Sequence, residues 1–189
     1  KCYVTVPLDP TWKLADEAGV PAFVRAWMRP DEVLKRQLFL GRDGISKCHY
    51  HSDARTLLTQ VVGGKHLVLF PPGDTRWLSP LPWFDVEHCW SRVDFLHPER
   101  WPDLAQTSPY VCSLVAGDAL FIPPGWWHVV FGEGLSATVT YFWSAPHAPW
   151  RYAPDAKMAL RDALEWTLRR PVRRIQKGLG ATIVRGRFR

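Results

Sequence analysis

The feature that most constrains the fold is a series of short apolar runs, each closed by turn residues. Four of them follow one another in the second half of the chain, at residues 110–115, 118–122, 126–131 and 136–143. The breaks between them contain Gly117, the rigid corner Pro123-Pro124-Gly125 and a glycine-rich stretch at 132–134. Short strands at this spacing, with turn residues between them, are typical of antiparallel sandwiches and barrels. The sequence therefore predicts a mainly β fold.

The first half of the chain contains fewer regular elements. A short helix is expected near residues 22–28 and a strand at 37–40. The strand-like runs 56–62 and 65–70 are separated by the pair Gly63-Gly64, a pattern that predicts a β-hairpin.

Two further regions follow from local composition. Residues 83–110 are rich in Trp, Pro and charge, which predicts an irregular excursion that covers the mouth of the barrel or contacts substrate. A helix is expected to begin at Asp155 and to end before Pro171, since apolar residues recur there at helical spacing. We therefore divide the chain into a β domain at 1–152 and a C-terminal helical extension with a basic tail at 153–189.

Composition places the chain among globular proteins of one ordinary domain. Of its 189 residues 47% are apolar and 22% charged, which excludes bulk disorder. No apolar run approaches the roughly 20 residues that span a bilayer, so no membrane partner is expected. The four cysteines form no Cys-x-x-Cys pair, which disfavours a disulfide scaffold or a zinc ribbon. An intracellular location is expected, by default the cytoplasm, with the nucleus left open.

The net charge of +6 is unevenly distributed along the chain. Residues 166–189 hold eight Lys and Arg and no Asp or Glu, so the remaining residues hold 16 basic and 18 acidic groups. Any electrostatic attraction to nucleic acid, acidic lipid or an acidic peptide therefore belongs to this tail. We favour a solvated helix end over a dedicated nucleic-acid surface, because no aromatic ladder or glycine-rich RNA motif accompanies the basic residues.

Two segments contain side chains suited to metal chemistry. His51 and Asp53 are two residues apart, and residues i and i+2 of an extended chain point to the same side. The segment 117–128 ends in His128 after the Pro-Pro-Gly corner. Two imidazoles and one carboxylate form the facial triad of non-haem Fe(II) oxygenases, which leaves coordination positions open. Another register stays open, in which His49 and His51 form a His-x-His pair and His128 completes a three-histidine site.

From about residue 37 to residue 143 the sequence resembles the JmjC-type (cupin-8) 2-oxoglutarate oxygenases, the group that contains the asparaginyl hydroxylase of hypoxia-inducible factor. The matching stretches are, in order, 51–53, 57–72, 117–123, 126–128 and 142–143. Segment 117–128 also fits the second cupin motif, G-x5-P-x-G-x2-H, at every defined position up to the histidine. The resemblance implies a double-stranded β-helix, the cupin or jelly-roll fold, with a flanking N-terminal segment and C-terminal helices.

The resemblance also assigns site residues. Its metal and catalytic ligands are His51, Asp53 and His128. Lys65 is assigned to the far carboxylate of 2-oxoglutarate, and a buried ammonium on a barrel strand does need such a partner. Four more residues are expected near this cosubstrate, each with sheet packing as the alternative role: Thr56, Cys48, Thr140 and Tyr141. The interval from Asp53 to the strand of Gln60 is one residue shorter than the family pattern, and an ungapped match would make Tyr50, a chemically poor ligand, the first of the three.

The function that the resemblance implies is oxidation of a C–H bond, most often hydroxylation, with Fe(II) as cofactor and 2-oxoglutarate and O₂ as cosubstrates. A protein or peptide side chain is the leading substrate class, and a small molecule or tRNA stays open. Another metal-dependent cupin enzyme and a non-catalytic JmjC-like binding module are the alternatives. A homodimer through the C-terminal helices is also expected, since such helices often mediate dimerisation in JmjC hydroxylases.

Overall fold

The computed structural model describes residues 2–9, 11–28, 32, 34–144, 153, 155–164 and 167. Its strands are β1 (Cys2–Pro7), β2 (Leu34–Arg42), β3 (Ala54–Phe70), β4 (Tyr110–Leu114), β5 (Ala119–Ile122) and β6 (Trp127–Ser144). Its short helices are α1 (Lys13–Glu17), α2 (Ala22–Trp27) and the 3₁₀-helices Pro72–Trp77, Pro98–Arg100 and Pro102–Gln106. Residues 156–164 are also helical. The predicted mainly β class is confirmed.

Two long strands, β3 and β6, organise the fold. They pair antiparallel from Ala54 opposite Ser144 to Phe70 opposite Trp127. The first half of β3 also pairs with β5 and its second half with β4, while β2 pairs with the second half of β6 and β1 with β2. The two halves of the long strands thus contribute to two facing sheets. This is the jelly-roll arrangement, and the predicted cupin fold is confirmed.

Glycines along these strands form bulges where the sequence predicts turns. The expected hairpin at Gly63-Gly64 is wrong, and so is the expected break at 132–134, because both lie inside continuous strands. The pairing register shifts on both sides of Val62, and a bulge of this kind bends a strand without reversing it. Gly63 has a φ of 68°, and a Cβ there would lie 2.0 Å from the carbonyl oxygen of Leu135, so the position requires glycine.

An irregular segment, residues 44–49, pairs with the first half of β6 and extends the sheet to which that half belongs. Backbone hydrogen bonds join residues 44–49 to residues 128–132. Residues 89–91 are joined in the same way to residues 48–50. The excursion predicted at 83–110 is therefore attached directly to the segment that contains the first candidate ligands.

Three apolar clusters surround this framework. Leu8, Val24 and Trp143 belong to the cluster in which α1 and α2 cover the outer face of one sheet. Tyr50, Trp127 and Met158 belong to the cluster on the outer face of the other sheet, which the helix at 156–164 helps to cover. The third cluster fills one end of the space between the sheets with leucine and isoleucine: Leu58, Leu67, Leu69, Leu114 and Ile122. Leu58 of this cluster also lines a cavity.

The predicted helices at both ends of the β domain are present. The helix expected near 22–28 is α2. The C-terminal helix begins as predicted, because the Asp155 carboxylate accepts hydrogen bonds from the backbone N–H groups of Lys157 and Met158 at 2.8 and 2.9 Å. The basic tail at 166–189 lies, except for residue 167, outside the described residues. Within the described part of the chain, no helix combines the length and the apolar character that a membrane span requires.

Candidate metal centre

Three imidazoles meet at the cavity between the sheets. One ring nitrogen from each of His49, His51 and His128 can be chosen so that all three lie within 4.8 Å of one another. The ring centroids are 4.9 Å apart for the pair 49 and 51, 4.3 Å for 49 and 128, and 5.4 Å for 51 and 128. Among the described residues no other set of three His, Cys, Asp or Glu is close enough to share one ion.

Backbone pairing places these rings side by side. His49 and His128 lie opposite each other, and the N–H of each donates to the carbonyl of the other, at 3.1 and 2.8 Å. Residues directly opposite in an antiparallel pair project from the same face. His51, two residues beyond His49 on an extended chain, projects from that face as well. The N–H of Gly125 donates to the His51 carbonyl at 2.8 Å, so the Pro-Pro-Gly corner is tied to this segment.

Two of the three imidazoles have a defined tautomer. Nδ1 of His49 lies 2.8 Å from the Lys47 carbonyl oxygen, and Nδ1 of His128 lies 3.1 Å from the Trp126 carbonyl oxygen. A carbonyl only accepts, so each Nδ1 holds the proton and each Nε2 keeps its lone pair. Hydrogen bonds of this type orient metal-binding histidines in proteins. The residues present therefore fit a metal ion.

Burial keeps the three rings uncharged. It lowers the pKa of His49, and it lowers the pKa of His51 to about 3, with a smaller contribution from the neighbouring His49. The pKa of His128 is lowered well below its usual value by burial first and then by the two other histidines. Neutral imidazole is the form that binds a metal. The group is thus ready to bind one at neutral pH.

Asp53 does not join this group. It is exposed, and it lies in the bend that follows His51, where the extended segment ends. Alternation along an extended chain brings His51 to the side of His49, but a bend interrupts it before Asp53. The structure therefore brings together the residues of the alternative register, His49, His51 and His128, and the group that could share one ion does not include Asp53. Spacing does not distinguish the two registers, since both pairs are two residues apart.

Lys65 lines the same cavity from β3. It is 6% exposed, and no acidic side chain among the described residues forms an ion pair with it; its Nζ lies 5.9 Å from the centroid of the Phe39 ring. Burial lowers the pKa of Lys65 to about 8. Thr56 and Thr140 line the cavity too, and Oγ1 of Thr56 is buried without a hydrogen-bond partner. Within the described part of the chain, this ammonium has no acidic partner and this hydroxyl has no hydrogen-bond partner, which indicates a polar, anionic ligand.

Two of the predicted cosubstrate residues face away from the cavity. Cys48 alternates with His49 and packs in the outer apolar cluster, where burial raises the pKa of its thiol. Tyr141 follows Thr140, and its hydroxyl donates to the Gly19 carbonyl at 2.9 Å on the side of the N-terminal helices. Because side chains alternate along a strand, neighbours of cavity residues point into the opposite core.

The sequence prediction did not include several residues of the cavity wall. Tyr3, Phe39, Ser46, Val130 and Phe142 line it. The signal was present in the strand pairs 128 and 130 or 140 and 142, since every second residue shares a face. Trp90 lies in the stretch 83–110 that the sequence predicts as an irregular excursion. Its ring stacks on His49, with centroids 5.0 Å apart and planes at 21°.

Sequence comparisons agree with this architecture. Residues 13–148 match the family model described as a cupin-like domain. The chain is 34% identical over 124 residues to Jumonji C domain-containing protein 5 of Drosophila melanogaster, covering 64% of this chain and 27% of that protein. It is 28% identical over 138 residues to lysine-specific demethylase 8 of Danio rerio, covering 72% and 34%. It is 30% identical over 147 residues to tRNA wybutosine-synthesizing protein 5 of Homo sapiens, covering 75% and 45%, so it spans less than half of each relative.

Proposed function

The chain belongs to the cupin-like domain family, and from this premise we propose that it is an oxygenase that uses Fe(II), 2-oxoglutarate and O₂ to oxidise a C–H bond. The supporting observation is one cavity that contains three neutral imidazoles and a buried ammonium that forms no ion pair with any described residue. The three imidazoles can bind a metal ion, and the ammonium can form an ion pair with a carboxylate of the cosubstrate. The narrower likeness to the asparaginyl hydroxylase group stays a prediction.

In this proposal His49, His51 and His128 hold the iron. The carbonyl oxygens of Lys47 and Trp126 accept the Nδ1 protons of His49 and His128, so Nε2 of each would be the atom available to a metal. When bound, the iron supplies the redox chemistry that couples oxidation of a 2-oxo acid by O₂ to oxidation of the substrate. The register with Asp53 in place of His49 is the rival, and its exposed carboxylate would have to move to reach the ion.

Lys65 and Thr56 are proposed to bind the far carboxylate of 2-oxoglutarate. The ammonium contributes charge and the hydroxyl contributes a donor, and both lie where little water competes. Phe39, beside the Lys65 ammonium, and Phe142, which packs edge-on against His51 with centroids 5.4 Å apart, give the cavity an apolar wall next to both polar groups.

A protein or peptide side chain is the proposed substrate class. The name of lysine-specific demethylase 8 supports a protein substrate, and the name of tRNA wybutosine-synthesizing protein 5 supports tRNA as the second candidate.

The cytoplasm stays the predicted location. A homodimer through the C-terminal helix also stays a prediction, and Leu160 and Leu164 on that helix are 57% and 52% exposed.

A second candidate function is a metal-dependent cupin enzyme that needs no 2-oxo acid. The specific observation in its favour is the set of three histidines without a carboxylate, which differs from the facial triad predicted from the sequence. Such an enzyme would have no use for the ammonium of Lys65.

Succinate release tests the proposal. The protein is incubated with Fe(II), 2-oxoglutarate, O₂ and either a peptide library or bulk tRNA, and succinate is measured. We expect release by the wild type and by Asp53→Asn, and loss of release in His49→Ala and in Lys65→Met. Release that requires Asp53 but survives His49→Ala would establish the rival register. Metal binding and substrate oxidation without consumption of 2-oxoglutarate would establish the second candidate function.

A further inference from the structure

Among the residues that the structure describes, none of those lining the cavity is acidic. Its ionisable residues are the three histidines, Lys65 and Tyr3. Three acidic residues of the same strands and segments have other partners or are exposed: Asp53 is exposed, Glu32 lies 3.7 Å from Arg55 and Glu133 lies 3.4 Å from His66. Positive charge inside this cavity must therefore be balanced by whatever binds there.

The proposed function, on which this inference rests, makes the balance countable. A divalent ion contributes two positive charges and the Lys65 ammonium contributes one, while the neutral imidazoles contribute none. A dicarboxylate cosubstrate supplies two negative charges and leaves one positive charge. If residue 51 were a carboxylate the sum would be zero. Buried charge without compensation is costly, so the histidine at position 51 creates a requirement for one more anion.

A second observation points the same way. The ammonium of Lys47 lies 5.5 Å from the centroid of the Trp90 ring, and that ring stacks on His49. Lys47 is exposed at this flank of the site. A cation beside the approach to a positively charged cavity raises the local concentration of anions.

We infer that the site binds a small singly charged anion together with the dianionic cosubstrate, next to His51. The anion is either the carboxylate of an acidic substrate or a free inorganic ion. In both cases the neutral side chain at position 51 determines the preference. A substrate that presents an acidic group to the cavity is then bound more tightly than its neutral counterpart.

Azide binding to the Co(II)-loaded protein tests this inference. Co(II) is first titrated by calorimetry, then 2-oxoglutarate is added, and azide is titrated while the visible absorption of Co(II) is followed. Two variants accompany the wild type: His51→Asp adds one negative charge, and His51→Gln keeps the position neutral. We expect azide to bind the wild type and His51→Gln at least tenfold more tightly than His51→Asp.

Lys65→Met keeps the measurement decisive where His51→Asp does not hold Co(II). It removes one positive charge and leaves the three histidines intact, so azide affinity measured without 2-oxoglutarate should fall by at least threefold. Acetate that displaces azide at lower concentration than chloride assigns the position to a substrate carboxylate, and the reverse order assigns it to an inorganic ion.

The outcomes distinguish a failure of the anion site from a failure of the proposed function. A wild type that binds Co(II) and 2-oxoglutarate, but binds azide no more tightly than His51→Asp and Lys65→Met do, overturns the inference and leaves the proposed function standing. A wild type that binds no Co(II) overturns the proposed function and the inference with it.

Discussion

The two faces of the extended segment 48–51 differ in the chemistry and the surroundings of their side chains. Its front face presents His49 and His51 to the cavity, among the polar groups of the candidate site. Its back face presents Cys48 and Tyr50 to an apolar cluster, where the Tyr50 ring packs on Trp127 with centroids 4.7 Å apart. Because side chains alternate along one extended segment, residues of the candidate metal site and residues that stabilise the fold are adjacent in sequence. Substitutions on the two faces should affect different measurements.

The largest effect is expected on the back face, from Tyr50→Ala. Loss of a fully buried aromatic ring against Trp127 should lower the free energy of unfolding by about 3–5 kcal/mol. Tyr50→Phe is the matched control, and it should change stability little or raise it, since the buried hydroxyl of Tyr50 has no hydrogen-bond partner among the described residues. Urea titration measures both. An equal loss in the two variants would show that the hydroxyl, rather than the ring, stabilises this face.

On the front face, His49→Ala should lower metal affinity by more than about 100-fold, because the loss of an outer-shell hydrogen bond alone costs 10–100-fold. The free energy of unfolding of the metal-free protein should stay within about 1 kcal/mol of the wild-type value. Calorimetric titration with Co(II) measures the affinity. Asp53→Asn is the control and should bind Co(II) like the wild type. If Asp53→Asn bound Co(II) more weakly than His49→Ala does, the metal ligands would be those of the register that contains Asp53.

The ammonium of Lys65 should make cosubstrate binding depend on pH. Its pKa is lowered to about 8, so the charged form that attracts a carboxylate is present below that pH and is lost above it. The affinity for 2-oxoglutarate should therefore fall by up to about tenfold per pH unit above the midpoint, which the bound anion itself moves upward. Lys65→Arg keeps its charge and should show no such fall between pH 7.5 and 9.5. The same pH profile in both proteins would contradict this role.

Acid should destabilise the metal-free protein through the front face. The pKa of His51 is about 3 in the folded protein and about 6.5 when unfolded, so the unfolded chain binds the additional proton between these values. This histidine alone should lower the free energy of unfolding by about 1.4 kcal/mol from pH 7.5 to 5.5. His51→Gln should show a correspondingly smaller loss in urea titrations at the two pH values. An identical loss would place the acid sensitivity elsewhere.

The smallest effect is expected from Trp90, which joins the excursion to the front face. Its stack on His49 should contribute about 0.5–1.5 kcal/mol to the orientation of that ring. Trp90→Leu should therefore weaken Co(II) binding about three- to tenfold, whereas Trp90→Phe, which keeps an aromatic face, should stay near the wild type. Calorimetry at fixed pH measures the difference. Equal affinities in the two variants would mean that packing, without stacking, holds the ring.

The sequence predicts more of the fold than of the site, for a physical reason. Strand positions follow from alternating apolar residues, which depend on near neighbours. A glycine pair such as Gly63-Gly64 permits both a turn and a bulge, and only the pairing of β3 with β6 decides between them. Likewise, both registers around His51 satisfy the same spacing, and the choice depends on the bend after it and on the hydrogen bonds between His49 and His128. Contacts between residues far apart in sequence settle what local patterns leave open.

The pairing of His49 with His128 also has a consequence in time. The two partners are 79 residues apart in the chain, and residues 54–70 must find residues 127–144 before they meet. Pairings of such long range form late in folding, and a ribosome releases only about 5–20 residues per second. A nascent chain therefore exposes His49 and His51 for seconds before His128 can join them. An ion that requires all three imidazoles could bind only after these strands have paired.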